Sequence, residues 1–188
     1  MRNVFRLMVI GLLVAAISML IVPASAQDGA GPGEGGVLIL DNIGDDPATF
    51  NPIIYNDSAS ADVLFWMYPV LIGIDNETGQ LAPNQPQAMA TGWEYNEDGT
   101  VVTIHLREDA YWNDGTPVTS ADWMWGAEAI YSGETSSPRT SQFYELADGT
   151  PAGGPIVDFE APDDYTVVLT FDQPSCIAIN QIYNPMVP

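Results

Sequence analysis

The sequence predicts a mixed α/β fold of the α+β kind, and three observations carry that prediction. Apolar residues alternate with period two in two well-separated segments, TVVTIHL and DDYTVVLTF. Between them, the segment TSADWMWGAEAIY has helical periodicity and a start signal. Helices and strands do not alternate strictly along the chain, as a parallel βαβ architecture would require.

The elements follow in chain order. Residues 1–26 read as a secretory signal peptide: Arg2 and Arg6 precede an apolar run over 7–22, and Ala24 and Ala26 supply the small residues of a cleavage site. The run is short of the roughly 20 residues that a spanning helix needs. The only cysteine, Cys176, is far from that point, so a lipid anchor at the new N-terminus and an internal disulfide are both outside expectation. Residues 27–36, QDGAGPGEGG, read as a flexible leader with almost nothing to bury.

Structure is predicted to begin with a buried strand at VLIL, 37–40, followed by a loop that Gly44, Pro47 and Pro52 impose. Ser58 or Ser60 is placed to cap a helix running toward Tyr68, with Val63, Leu64 and Met67 on its apolar face and Pro69 ending it. A turn at 76–79 and a hairpin around NEDGT follow. In the second strand of that hairpin Val102, Ile104 and Leu106 share one face. Thr119 and Asp122 form a capping box for a helix through about Tyr131, with Trp123, Ala127 and Ile130 buried. Residues 132–155 read as a loop interrupted by a short helix at SQFYEL. Tyr165, Val167, Leu169 and Phe171 then share one face of a returning strand that Asp163 and Asp164 open with a turn.

Charge limits the function classes. The chain carries 25 acidic against 4 basic residues, and removing Arg2 and Arg6 with the signal peptide takes the formal net charge from −21 to −23. Such a surface repels nucleic acid and anionic membrane. Lysine is absent, a composition that suits either a saline habitat or a generic acidic exterior. Catalytic chemistry finds little to work with. The acid pairs Asp45 with Asp46 and Asp163 with Asp164 point opposite ways on an extended chain, and His105 is the only histidine. No EF-hand spacing, metal-ligand cluster or phosphate-binding glycine loop is present. No catalytic residue, metal or cofactor is therefore expected.

The segment LREDAYWNDGTPVTSADW, 106–123, is specific. Arg107, Trp112, Asp114, Gly115, Thr116, Pro117, Thr119 and Asp122 stand as in the family-5 extracytoplasmic solute-binding proteins of peptide and nickel ABC transporters, and the chain resembles that family. The flanks TFNP and DFEAPDDYTVVLTFDQP agree in order, with Asn51 and Pro69 as departures.

The resemblance implies the N-terminal part of a two-lobed periplasmic-binding-protein-like fold with an accessory subdomain and without its second lobe. Residues 37–56 would begin lobe one, 57–174 form the subdomain, and 175–188 return to lobe one. It implies a monomeric, exported protein, periplasmic or extracellular. Such a protein captures short peptides, nickel chelates, oligosaccharides or other small solutes by lobe closure and delivers them to the transporter's permease subunits. The rival classes are an exported hydrolase and a structural surface module.

Candidate ligand contacts are Asp46 and Pro47 in the loop after the first strand, Trp125 on the helix after the capping box, Phe143 and Tyr144, and Tyr183 and Asn184 at the re-entry into lobe one. Most of the motif itself reads as scaffold. Asp114, Gly115 and Pro117 shape a turn, and Arg107 pairs with a nearby carboxylate.

Overall fold

The computed structural model describes residues 46–175, 178–182 and 185–188. The predicted signal peptide, the leader and the strand at 37–40 lie outside the described residues, as do Tyr183, Asn184 and Cys176.

Helix α1, Ser58–Met67, is capped by Asp57 and not by either serine. The Asp57 backbone is extended, and its Oδ1 accepts from the Ser60 N–H at 2.7 Å. The Ser60 hydroxyl, already inside the helix, accepts instead from the Thr49 N–H at 3.1 Å. Tyr68 turns extended before Pro69, as the residue preceding a proline is biased to do. The expected apolar face is corrected as well. Leu64 is buried, but Met67 is half exposed, and the inward stripe is Ala59, Ser60 and Leu64.

Two short strands, β1 (Gly73–Ile74) and β2 (Leu81–Ala82), pair antiparallel across the predicted turn. The Asp75 carboxylate holds that turn, accepting from the Thr78 N–H at 2.7 Å and the Thr78 hydroxyl at 2.8 Å.

The main sheet has four antiparallel strands: β3 (Ala90–Tyr95), β4 (Val101–Leu106), β5 (Ile156–Asp163) and β6 (Thr166–Phe171), in the order β3-β4-β6-β5. The alternation in the two central strands holds: Val102, Ile104 and Leu106 are buried, as are Val167, Leu169 and Phe171. Strand β5 occupies a region that sequence reasoning did not separate from the strand after it. It lies at the sheet edge, where its acids, its Pro162 and two register shifts disturb the fewest ladder bonds.

Helix α2, Ser120–Tyr131, starts with the predicted capping box, Asp122 Oδ2 accepting from the Thr119 N–H at 2.6 Å. It buries Trp123, Ala127 and Ile130 as its periodicity demands. The Trp123 ring meets Phe159 of β5 edge-on, with centroids 6.1 Å apart. Beyond it, the helix expected over SQFYEL is only a 3₁₀ turn, Thr140–Gln142. The chain leaves helical geometry at Phe143, which bridges to Ile156 and buries its ring 5.4 Å from both Tyr131 and Phe159.

The last described residues enter the same core. After a 3₁₀ turn, Ala178–Gln181, Pro185 bridges to Val70; the Met186 N–H then donates to Pro69 O at 2.9 Å, and the Val187 N–H to Asp122 O at 3.0 Å. Ile53, Ile179, Met186 and Val187 are buried in one cluster with the sheet residues. Residues Ile43–Pro188 form one compact unit.

Five turn and cap carboxylates, Asp57, Asp75, Asp98, Asp114 and Asp148, sit below the usual range because hydrogen bonds from nearby backbone N–H groups and hydroxyls favour their charged forms. A lowered folded pKa means that stability is fully present above the ordinary value of 3.8 and is lost as pH falls through the lower folded values. Asp57→Ala should remove part of that acid dependence and lower Tm by about 3 °C at neutral pH. Melting curves at pH 7 and pH 3 check both effects. Equal acid sensitivity in wild type and variant would count against the cap.

Candidate functional site

A groove of about 730 Å³ opens between helix α1 and the β1–β2 hairpin. Its walls include Tyr55, Phe65, Trp66, Tyr68, Ile74, Pro86 and Pro185. Phe65 and Trp66 pack edge to face with ring centroids 5.6 Å apart, yet each is at least half exposed. The polar groups among the lining residues are few: Asp62, Asn76, Gln85, Gln87 and the Tyr55 and Tyr68 hydroxyls. Such a surface, mostly apolar with a small number of polar points, suits an apolar or aromatic moiety.

Sequence reasoning missed this groove, although a signal was present. The run LFWMY at 64–68 is uniformly apolar, and a helix with 3.6 residues per turn cannot turn all of it inward. The surplus had to face outward.

A second depression, about 640 Å³, is acidic and shallow, with Glu108, Asp163 and Asp164 around Leu106 and Tyr165. His105 at its rim lies 3.6 Å from Glu94, and both side chains are well exposed. The Asp163 carboxylate accepts from the Tyr165 N–H at 2.9 Å, the hydrogen bond of a turn acid. Among the described residues no group of three or more His, Cys, Asp or Glu side chains is arranged to hold a metal.

The predicted contact residues that are described lie outside the lining of the apolar groove. Asp46 is exposed at the start of the described chain, with Pro47 half buried beside it. Trp125 is 53% exposed, on the face of α2 opposite the buried Trp123. Tyr144 is 51% exposed beyond the 3₁₀ turn. Phe143 is corrected: at 1% exposure its side chain is part of the core and offers no surface to a ligand.

The long motif is scaffold, as its chemistry predicts. Asp114 Oδ1 accepts from the Thr116 N–H at 2.9 Å and from its hydroxyl at 2.7 Å, while Gly115 takes a φ of 88° that favours glycine. Arg107 pairs with Asp109 through Nε at 2.6 Å and Nη2 at 3.0 Å. That bidentate pair holds the Asp109 carboxyl below its ordinary range.

The same motif is matched by a family model. Residues 85–188, more than half of the chain, fit the model of the bacterial extracellular solute-binding proteins, family 5 (middle). The chain belongs to that family. Among curated family-5 relatives, the probable deoxycholate-binding periplasmic protein YgiS of Escherichia coli is 28% identical over 69% of this chain and 24% of its own length. The periplasmic oligopeptide-binding protein OppA of Salmonella typhimurium is 40% identical over a shorter stretch, 46% of this chain and 17% of its own length. In three dimensions the family-5 chain is similar to Haemophilus influenzae OppA in complex with RPPGFSPFR, with a TM-score of 0.61 and 29% identity over 74% of this chain and 28% of that one. The family-5 chain thus spans about a quarter of the length of the relatives it matches.

Proposed function

We propose that this chain supplies part of the extracytoplasmic substrate-binding component of an ABC transporter, capturing short peptides or a related small solute. The family match over residues 85–188 carries this reading, because it coincides with the segment whose turn and capping box position α2 against the sheet. Two solved or curated relatives, the OppA proteins, are named or titled for peptide binding. YgiS is named for deoxycholate binding, so the solute class is broader than peptides.

Capture needs no covalent step. A solute that contacts both lobes stabilises the closed arrangement by its differential affinity, and the permease reads that arrangement. On this reading residues 37–56 and 175–188 belong to lobe one and 57–174 to the accessory subdomain. The shared core of Ile53, Met186 and the sheet supports a subdomain seated directly on the lobe. Trp125 and Tyr144, exposed aromatics outside the core, together with Asp46, Pro47, Tyr183 and Asn184, are the proposed lobe-side contacts. The protein is proposed to be exported, monomeric and without catalytic activity.

Thermal stabilisation of the full-length protein tests the reading. A bound peptide at a hundredfold excess over its Kd should raise stability by about 2.7 kcal/mol. Unchanged melting with peptides and with bile acids, or hydrolysis of the added peptide, would sink it.

A further inference from the structure

We propose that Arg139 anchors the carboxylate of a solute whose apolar part occupies the groove bordered by Tyr55, an inference that rests on the solute-capture reading. Lysine is absent from the sequence, so within the described residues permanent positive charge resides on Arg107 and Arg139 alone. Arg107 is neutralised by its bidentate pair with Asp109. Arg139 has no carboxylate within ion-pair distance among the described residues.

Its guanidinium is held in place from one side. Nη1 donates to Tyr55 O at 3.0 Å and Ile53 O at 3.3 Å, and Cζ lies 3.9 Å above the Tyr55 ring. Ser137 Oγ fixes the same strip of backbone, donating to Ile53 O at 2.6 Å. These contacts use one terminal nitrogen. Among the described residues, Nε and Nη2 have no acceptor. Those two groups form the parallel fork that matches a carboxylate.

The rest of the molecule makes the position selective. The acidic exterior repels an anion at long range, so an anionic solute needs a local, uncompensated cation. Arg139 supplies it next to Tyr55, which also lines the groove with Phe65 and Trp66. The group recognised is therefore an apolar or aromatic body carrying a carboxylate, such as a peptide that ends in an aromatic residue.

Arginine Nε–H resonances give a direct test, because the sequence holds four arginines and Arg107 serves as an internal control. Wild type, Arg139→Gln and Arg139→Lys are titrated with N-acetylphenylalanine and with its uncharged amide. Expected is a saturable shift of the Arg139 Nε–H with the acid only, and affinity for the acid about tenfold above that for the amide. R139Q should reduce affinity for the acid to that for the amide, and R139K should retain part of the difference. The wild-type comparison stands even if R139Q fails to fold.

Equal affinity for acid and amide, or parallel shifts of Arg107 and Arg139, would overturn the carboxylate anchor. If neither probe moves any signal, the anchor also fails; a peptide-dependent rise in Tm of the full-length protein would still leave solute capture standing.

Discussion

Trp123→Ala should cost about 3–5 kcal/mol of stability, the range for deleting a large aromatic from a packed core. Trp123 is 1% exposed and sits on the inward face of α2, edge-on to Phe159, whose ring also meets Tyr131 and Phe143. Removing it leaves a void between the helix and the sheet beside Phe159 of β5, an edge strand with two register shifts. The control lies two residues away. Trp125→Ala deletes the same side chain from an exposed position and should change stability by no more than about 0.5 kcal/mol. Urea unfolding of the two variants checks the contrast, and similar midpoints would contradict the assignment of α2's faces.

Gly154→Ala should be as damaging, with the addition of a single methyl group. The Gly154 N–H donates to Phe143 O at 2.7 Å, and a Cβ built there would run into Ser141 O and the Gln142 carbonyl. These are backbone atoms, which cannot swing aside as a side chain can. The 3₁₀ turn and Phe143 behind it must shift, and the aromatic cluster shifts with them. A loss of about 3 kcal/mol or more follows, at the upper end for overpacking. Gly149→Ala separates crowding from backbone conformation. At φ of 81° with nothing within 4 Å of its added Cβ, it should cost only about 1–2 kcal/mol, the penalty of a left-handed alanine. Equal losses at the two glycines would remove crowding as the cause.

What the sequence disclosed and what it withheld divide along the range of the interactions. The faces of β4 and β6 and the capping box of α2 were legible, because each is decided by residues within one turn or one strand. Asp57 displaced Ser58 and Ser60 as cap because Ser60 has a second partner, Thr49, eleven positions away. Phe143 was expected at a ligand and is core, since the rings that enclose it come from α2 and β5. The apolar groove depends on Pro185 and Gln85 approaching α1, a meeting that no local pattern encodes. The family motif told where the scaffold turns. It did not tell which exposed aromatics touch a solute, because those residues are not part of its turn and capping chemistry.

The seating of Met186 bears on how the protein comes into being. Its buried side chain and its N–H to Pro69 O join segments more than a hundred residues apart, and Val187 reaches back to Asp122. During synthesis from the N-terminus, the β3–β4 hairpin and α2 emerge well before the residues that close the core over them. Until those residues arrive, the chain carries an open apolar seam for many seconds at ordinary translation rates. Over that interval the chain's own dense negative charge keeps the open seam apart from neighbouring chains.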